Sequence, residues 1–194
     1  LKGLDKLNVV LDAASNHQPL HMIYKNSKEG GIEENVVLHP YHVKQFNNRW
    51  FLFGLNQDRN QISNLALDRI ISVSIADDIR FIPNTGVDFE HYFDDIVGVT
   101  IPKDEVVKEH IVLKFTKQRF PYVTSKPIHL SQHTISEEDC TISIDVRPNR
   151  ELTAQLLSFG PDVEILSPDG VREEISKKIE ENFKKYFPVQ NDCT

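Results

Sequence analysis

The pair Asp68-Arg69 places an acid and an arginine directly after an apolar stretch of the sequence. If residues 63–71 form one β-strand, side-chain alternation puts Arg69 on the face that carries Leu65 and Leu67. A guanidinium stays charged in proteins, and a charge beside apolar neighbours costs several kcal/mol unless it is paired and hydrogen-bonded. Arg69 therefore either forms a structural salt bridge or bonds backbone carbonyls, or it faces a pocket and binds an anionic or nucleotide ligand.

Five further residues of the first 75 have side chains suited to such a ligand. Tyr24 either stacks on a base or lies in the core with its hydroxyl tied to a carbonyl. His42 and Lys44 stand two residues apart and share a strand face, which either holds a phosphate or is plain surface. Trp50 is the strongest apolar anchor of the chain and either contacts the ligand or packs in the core. Asn64 could bind the polar edge of a base.

The second half of the chain adds two candidates, His129 and Gln132. They either touch nucleic acid or orient this part of the molecule by fixing a turn.

Other kinds of chemistry find little support in the sequence. His39-x-x-His42 and His129-x-x-x-His133 have spacings that a metal could use, but no cysteine lies near and no third ligand is evident, so we predict no metal and no cofactor. The motifs of serine hydrolases, nucleotide-binding loops and zinc proteases are absent from the sequence. We therefore predict no enzymatic activity.

The candidate residues of the first part need a small sheet to position them. Leu4, Leu7, Leu11 and Ala14 have the spacing of a short amphipathic helix. Strands follow at residues 19–26 and 32–43, the second interrupted at Pro40, which marks an edge or a bend. In residues 50–55 both alternating faces are apolar, and a small closed β-barrel would cover both.

The second part predicts an α+β sandwich. Residues 110–115, 127–132 and 139–147 have the pattern of strands, and a helix follows with Asn149 as N-cap and Gly160 as terminator. After a further strand, Ser167 and Pro168 begin a long helix. Its apolar residues recur every four positions and predict a core stripe: Val171, Ile175, Ile179, Phe183 and Phe187.

Charge separates the two parts. Residues 76–110 hold nine acids and three bases, a local charge of −6, and we interpret this segment as an acidic linker. The net charge of −7 argues against permanent binding to a phosphate backbone. Apolar runs are too short to cross a bilayer, so we expect a soluble, cytoplasmic protein without a membrane partner. Since the chain begins at Leu1 and its one methionine is Met22, we expect that it was cut from a longer protein.

Several ordered motifs together resemble a known family. The segments MIYKN, HPYHV, NRWFLFG and NLALDRI are similar to a WYL domain, whose Trp-Tyr-Leu signature reads Trp50-Phe51-Leu52 here. The segments IHLSQ and LLSFGPDVEILSPDGVREEI resemble the WCX extension that follows WYL domains in bacterial transcription factors. This likeness covers nearly the whole chain.

The resemblance implies a fold and a division into domains. It implies an Sm-like, SH3-type β-barrel followed by a ferredoxin-like α+β sandwich, a mixed α+β protein. The expected order is a helix at residues 1–16 linking to a missing helix-turn-helix, the WYL barrel at 17–75, the linker at 76–109 and the WCX domain at 110–188.

The resemblance also implies regulation. WYL domains act as effector sensors that bind nucleic acid or nucleotide-like ligands, and by position the family's tyrosine, proline and closing motif fall on Tyr24, Pro40 and residues 68–70. Many members carry basic residues where this chain has Ser63 and Ala66, which leaves fewer fixed charges for an anion.

We therefore expect a sensor and dimerisation module of a bacterial regulator. Its partners would be a nucleotide or single-stranded nucleic-acid effector, operator DNA bound through the missing domain, and a second copy in a homodimer. The alternative is an interaction scaffold that holds a dimer together and binds no small effector.

Overall fold

A computed structural model of the chain describes residues 3–26 and 30–187. Leu1, at which the given sequence begins, lies outside these residues. The chain divides into two compact units, Leu1–Tyr92 and Phe93–Thr194. Within the described ranges, none of the helices combines the length and the apolar character needed to cross a membrane.

The first unit is one helix and a five-stranded antiparallel sheet. Helix α1 spans Leu4–Ser15 and the sheet has the strand order β4-β3-β2-β1-β5. The strands are β1 (Leu20–Asn26), β2 (Ile32–Phe46), β3 (Arg49–Asn56), β4 (Gln61–Ala66) and β5 (Ile70–Ile75). Among the described residues, β4 and β5 form the two edges and do not pair, so the ladder is open and the closed barrel is not seen.

The turn between β2 and β3 follows directly from its sequence. Asn47 and Asn48 both have positive φ values, 46° and 58°. Two consecutive residues with positive φ form the type I′ turn whose twist matches that of a β-hairpin, and asparagine tolerates this conformation well. The turn thereby fixes the register that pairs Lys44 with Phe51 and His42 with Phe53.

Strand β2 bends at Pro40, where the sequence predicts an edge or a bend. The register between β2 and β3 shifts between Pro40 and His42, and Pro40 lies opposite Gly54. A Cβ atom on Gly54 would lie 2.2 Å from the carbonyl oxygen of His39, so only glycine allows the two strands this close. The predicted bend at Pro40 is confirmed, and it lies within the sheet because β2 is flanked by β1 and β3.

The core of the first unit lies between the sheet and α1. Leu20, Met22 and Tyr24 alternate along β1 toward this core. The predicted helix is confirmed, but its stripe faces the core only in part: Val10 and Ala13 are buried and Leu7 packs on the core, whereas Leu4 and Leu11 remain 42% and 40% exposed. The helix is rotated from the expected orientation, with its smaller side chains against the sheet.

The second unit follows the element order β-α-β-β-α-β and ends in a further helix. Strand β6 spans Glu109–Phe115, α2 Phe120–Ser125, β7 His133–Ser136, β8 Thr141–Val146, α3 Arg150–Ser158, β9 Val163–Ser167 and α4 Asp169–Tyr186. The antiparallel sheet has the order β7-β8-β6-β9. A mixed α/β protein with antiparallel sheets is therefore confirmed. The strand predicted at residues 127–132 is wrong, because these residues form turns and the strand begins at His133.

The two long helices of this unit begin differently. The Asn149 side chain accepts a hydrogen bond from the Leu152 amide, which confirms the predicted N-cap of α3. Helix α4 begins at Asp169 with Pro168 as its N-cap, so Ser167 is not the cap. Only Val171 and Ile175 of its predicted core stripe are buried.

The acidic segment is divided between the two units at Tyr92. Asn149 donates from Nδ2 to the carbonyl oxygens of Val97 and Thr100, at 2.8 and 2.9 Å, within the second unit. In the first unit, Phe81, Phe89 and Tyr92 contact aromatic rings of the sheet. The segment predicted as a linker therefore contributes side chains to the structure of each unit.

Candidate functional site

Asp68 and Arg69 lie on a single 3-10 turn, Leu67–Arg69, between β4 and β5. The expectation of one continuous strand over residues 63–71 is wrong. Side-chain alternation therefore does not place Arg69 on the face that carries Leu65 and Leu67. Leu67 is fully buried, whereas Arg69 is half-buried. Within residues 3–26 and 30–187, the Arg69 side chain forms no hydrogen bond or ion pair.

The carboxylate of Asp68 is held by Arg49 rather than by its neighbour. Arg49 Nη2 lies 2.8 Å from both Oδ1 and Oδ2 of Asp68, and Arg49 Nε lies 3.2 Å from Oδ1. The guanidinium also lies over the ring of Phe51, 5.6 Å from its centroid. The structural salt bridge considered for Arg69 therefore exists at this turn, with Arg49 as its cation.

The same turn contacts Gly3, the residue that precedes α1. Gly3 has a φ of 87°, and a Cβ atom there would lie 2.7 Å from the Asp68 amide nitrogen and 2.8 Å from the Leu67 carbonyl carbon. Gly3 thus lets the start of α1 lie directly on the turn. A displacement of the turn would be transmitted to α1 through this contact.

Three of the predicted contacts share one face of the sheet. His42 pairs with Phe53, and Phe53 pairs with Asn64 on the next strand. Lys44 pairs with Phe51, which pairs with Ala66 at the end of β4. Paired residues point to the same side of a sheet. We call this surface the aromatic face, formed by His42, Lys44, Phe51, Phe53 and Asn64.

Phe89 and Tyr92 of the acidic segment cover part of this surface. Together with Phe81, which contacts Tyr41, they form what we call the aromatic strap. The Phe89 ring stacks on His42, with centroids 5.2 Å apart and planes at 2°. Phe89 and Tyr92 also contact Phe53, at 6.2 and 6.3 Å. Phe53 is consequently 1% exposed on a face that would otherwise be open.

Hydrogen bonds to β2 hold the beginning of the strap. Tyr41 Oη donates to the Ile82 carbonyl at 2.8 Å, and the Ile82 amide donates to His39 Nδ1 at 3.1 Å. Because Nδ1 accepts, the proton of the buried His39 ring lies on Nε2, which donates to Gln57 Oε1 at 3.1 Å. Both ring nitrogens of His39 are therefore occupied by protein partners, and the absence of a metal stays a prediction.

Tyr24 and Trp50 lie on the opposite face, toward the core. Tyr24 is 5% exposed, and its hydroxyl accepts a hydrogen bond from the Ala66 amide at 3.2 Å. Trp50 is half-buried against the same core cluster. Tyr24 therefore lies in the core, but its hydroxyl is bonded to a backbone amide and not to the expected carbonyl. The two rings do not join His42, Lys44 and Asn64.

Electrostatics on the aromatic face favour neutral His42. Burial lowers the pKa of His42, and the charge of Lys44 lowers it further. Two other arginines of the first unit are compensated by acids, Arg49 by Asp68 and Arg59 by Glu34, the latter at 2.7 Å. Arg69 has no such acid among the described residues. An anion that approached the turn would therefore meet Arg69 as a cation that no described acid pairs.

His129 and Gln132 are both engaged in local structure. Gln132 Oε1 accepts from the Ile128 amide at 2.9 Å, and its Nε2 donates to the Val123 carbonyl at 3.0 Å. His129 Nδ1 accepts from the Ser131 amide at 3.1 Å. Burial lowers the pKa of His129, although Asp95 and Asp94 oppose this effect. The contacts of His129 and Gln132 are those of side chains that fix a turn. Their contact with nucleic acid stays a prediction.

Sequence reasoning missed the role of Arg49 and the aromatic strap. Arg49 stands at the beginning of β3, 19 positions before Asp68, and no local pattern joins them. The strap had a detectable signal, since Phe81, Phe89 and Tyr92 are large aromatic residues in a segment otherwise rich in acids. Segments that stay solvated contain few aromatic residues, so these three indicate that the segment packs against the protein.

Two domain families match the sequence of this chain. The WYL domain family matches residues 5–75, and the WCX domain family matches residues 108–181. No curated protein matches the chain.

Two solved structures are among those that match the chain. Proteasome accessory factor B/C (PafBC) of Arthrobacter aurescens has 20% sequence identity and a TM-score of 0.42, over 90% of this chain and 26% of that one. A CRISPR Cas-related protein has 14% identity and a TM-score of 0.49, over 97% of this chain and 53% of that one. The chain thus spans about a quarter of the first protein and about half of the second.

Proposed function

This chain belongs to the WYL family, with a WYL domain followed by a WCX domain, and we propose that it is the effector-sensing and dimerisation region of a bacterial transcriptional regulator. The effector is a nucleotide or a short single-stranded nucleic acid, bound by the WYL domain. An N-terminal helix-turn-helix, reached through α1, reads the operator. The fold belongs to the same proposal: an SH3-type arrangement for the first unit and a ferredoxin-like one for the second, whose β-α-β-β-α-β order supports it.

The observation that carries the proposal is the register of the aromatic face. Its two rows, His42-Phe53-Asn64 and Lys44-Phe51-Ala66, are about 7 Å apart along the strands. The first row combines rings and an amide, which suit a base, while the second begins with a cation and ends beside the turn that carries Arg69. A nucleotide can span this distance with its base on the first row and its phosphate on the second.

The stacked pair of Phe89 and His42 supports the same assignment. Parallel rings with centroids 5.2 Å apart have the geometry in which an aromatic side chain receives a base. We propose that the effector base takes the position of the Phe89 ring against His42 and Phe53. The strap would then leave this part of the sheet when the ligand binds.

A route to the DNA-binding domain begins at the turn. A phosphate near Arg69 attracts both Arg69 and Arg49, and the pull on Arg49 weakens its hold on Asp68. Because Gly3 lies on the backbone of Leu67 and Asp68, a shift of this turn moves the start of α1. The ligand thereby changes the position of whatever segment precedes α1, and the two states differ in their affinity for the ligand.

The second candidate is a dimerisation scaffold without an effector. One observation favours it: the Arg49–Asp68 pair already compensates one charge at the turn, which leaves fewer fixed charges for an anion. In that case the aromatic strap is a permanent part of the fold and the aromatic face is a core.

Titration separates the two functions. Linear and cyclic nucleotides and single-stranded oligonucleotides of graded length are added to the chain, and binding is followed by calorimetry and by the fluorescence of Trp50, the one tryptophan of the sequence. The sensor predicts saturable binding that weakens as salt rises, because phosphate contacts release counterions. The scaffold predicts no binding at any salt concentration.

Two variants assign the binding to the proposed site. Arg69→Ala and Lys44→Ala should each lower affinity on the order of 10-fold, the effect of losing one charge-assisted contact. Arg59→Ala is the matched control, since this arginine is on the same unit but paired with Glu34. Equal losses in all three variants would indicate a diffuse charge effect and contradict the site.

A further inference from the structure

Every histidine of residues 1–76 contacts the segment that carries the aromatic strap. We call residues 77–92 the strap segment. Half of the eight histidines of the sequence meet it from the helix and the sheet. They are His17, His21, His39 and His42, and their contacts there are Phe81, Asp78, Ile82 and Phe89, in that order. Histidine is the side chain whose charge ordinarily changes near neutral pH, so the position of this segment is tied to groups that titrate there.

The contact between His39 and Ile82 needs an uncharged ring. His39 is 0% exposed, and its Nδ1 accepts the hydrogen bond of the Ile82 amide at 3.1 Å. A protonated imidazole carries a proton on both nitrogens and has no acceptor left. Two N–H groups would then point at each other across the same distance. A proton on His39 is therefore compatible with the structure only after Ile82 has moved away.

The surroundings of His39 do not compensate a positive charge. Among the described contacts, its ring meets Gln57 from the end of β3, and Phe81 and Ile82 from the strap segment, none of them charged. The charged residues just before Phe81 make no described contact with the ring; they are Asp77, Asp78 and Arg80. A buried charge without a partner is strongly disfavoured, so protonation of His39 also requires that water reach the ring.

The contact between His42 and Phe89 favours the neutral ring as well. The two rings are stacked with their planes at 2°. A protonated ring would gain some attraction to the face of Phe89, but it would lose contact with water and lie near the charge of Lys44. Burial lowers the pKa of His42, and Lys44 lowers it further. The sign of this shift shows that the covered position suits the neutral form better.

The two outer histidines have little influence on this balance. A proton on His21 strengthens its contact with Asp78, whose pKa is lowered by that hydrogen bond. The two side chains are 45% and 76% exposed, and exposed pairs contribute little energy. His17 is exposed, so its charge stays in water whether or not its ring meets Phe81. His39 and His42 therefore decide the direction of the effect.

We propose that the aromatic strap is a proton-sensitive cover of the aromatic face, which stays in place while His39 and His42 are neutral and leaves the face when they take up protons. The open state binds more protons than the covered one, so its population rises as pH falls. This rests on the proposed function only for what the uncovered face then binds, because the opening itself needs no ligand. Opening frees the position against His42 and Phe53 that we assign to a base, and a protonated His42 adds a cation beside Lys44.

Hydrogen exchange of two amides tests the opening without a ligand. The Ile82 amide reports the contact with His39, and the Ala76 amide, which donates to the Pro19 carbonyl at 2.9 Å, is the reference in the same unit. A histidine that takes up a proton only in the open state, with the ordinary pKa of about 6.5, raises the open population about 10-fold between about pH 7.5 and pH 5.5. The protection of Ile82 relative to Ala76 should therefore fall by about 10-fold to 100-fold. A constant ratio would overturn the cover.

Substitutions assign the effect to the two rings. His39→Asn keeps an acceptor near the position of Nδ1 but cannot take up a proton, and His42→Gln removes the second titrating group. Each should reduce the fall in the ratio by about 10-fold, and the double variant should show none. His21→Gln is the matched control, since it also contacts the strap segment but should not diminish the fall. Should His39→Asn not fold, His42→Gln at its partly exposed position still decides. A fall of wild-type size in His42→Gln and in the double variant would overturn the proposal.

Nucleotide binding tests the consequence. A nucleoside 3′,5′-cyclic monophosphate is the probe, because its phosphodiester keeps one charge over this range, whereas a phosphomonoester titrates near pH 6. Its affinity should rise as pH falls, by the same factor as the open population. If the Ile82 ratio falls but no nucleotide binds at any pH, the cover is supported and the proposed effector function is contradicted. If nucleotide binds with an affinity independent of pH and the ratio stays constant, the cover is overturned and the proposed function remains.

Discussion

The guanidinium of Arg49 holds the carboxylate of Asp68 with two contacts of 2.8 Å, and so joins the beginning of β3 to the turn before β5. The Asp68 side chain is 22% exposed and that of Arg49 is 40% exposed, so the pair lies at the edge of the core. Asp68 is also where Gly3 meets the turn. One ion pair thus lies between the candidate ligand face and the first helix.

Removing either partner of this pair should destabilise the first unit modestly. Arg49→Ala and Asp68→Ala are each expected to lower the free energy of unfolding by about 1 kcal/mol, since a bidentate pair lies at the upper end of exposed ion pairs. Urea denaturation of the two single variants and of the double variant gives the coupling energy, for which we expect about 1 kcal/mol.

Arg49→Lys provides the control for geometry. Lysine keeps the charge but loses the fork that contacts both carboxylate oxygens, so it should recover less than half of the coupling. A coupling energy indistinguishable from zero would mean that the contact is made without stabilising the turn. The proposed transmission to α1 would then lose its mechanical basis.

The hydroxyl of Tyr24 is expected to contribute to stability and not to ligand binding. Tyr24→Phe leaves the buried amide of Ala66 without its acceptor, which costs about 1–3 kcal/mol. Because the ring faces the core, the affinity for nucleotides should stay within about twofold. Urea denaturation and calorimetric titration of the same preparation measure the two quantities.

Tyr41→Phe is the matched variant for this hydroxyl. Its hydroxyl donates to the Ile82 carbonyl at a more exposed position, where water can replace the lost partner. We expect a cost of at most about 1 kcal/mol. If Tyr24→Phe instead abolished nucleotide binding at unchanged stability, the family's tyrosine would be a ligand contact here as the resemblance implied.

Local patterns predicted well where a single element decides the outcome. The alternation along residues 50–55 indicated two covered faces, and the structure buries Phe51 and Phe53 on one and Leu52 on the other. Arg69 was misplaced because alternation assumes a continuous strand, and three residues of 3-10 turn break it. The turn needs no glycine or proline, so the sequence gives no sign of it.

Contacts between distant segments were beyond these patterns. The four-residue repeat of α4 predicts one core stripe, but about 40° of rotation at each step carries Phe183 away from the core. The partner of Asp68 depends on how β3 lies against the turn, which is a tertiary property. The stacking of Phe89 on His42 is likewise a tertiary contact, between residues 47 positions apart in the sequence.

The aromatic strap should compete with the effector. Phe89→Ala removes the ring that stacks on His42 and contacts Phe53, and opens the position that we assign to a base. We expect nucleotide affinity to rise several-fold, because the ligand no longer displaces the ring. Stability should fall by about 1–2 kcal/mol, since the ring is half-buried. Calorimetric titration and urea denaturation measure both.

Phe81→Ala separates competition from general loosening of the segment. Phe81 contacts Tyr41 and His39 but lies on neither His42 nor Phe53 in the described contacts. It should cost similar stability without raising affinity. Weaker binding in Phe89→Ala would show instead that this ring helps to hold the ligand.

His42 should make the stability of the first unit depend on pH in a defined direction. Burial, together with the Lys44 charge, lowers its pKa in the folded state below the ordinary value of about 6.5. Between these two values the unfolded chain binds more protons than the folded one, so stability rises with pH. The contribution is fully present above about pH 6.5 and is lost as pH falls through the folded pKa.

His42→Gln removes this titration and keeps a polar side chain of similar size. Urea denaturation of both proteins between pH 5 and pH 7.5 should give the wild type the steeper gain in stability with rising pH. His129 also has a lowered pKa, but it is present in both proteins and cancels in the difference. Parallel pH profiles would mean that the stacked ring titrates alike in the folded and unfolded chains, and that Phe89 does not shield it from water.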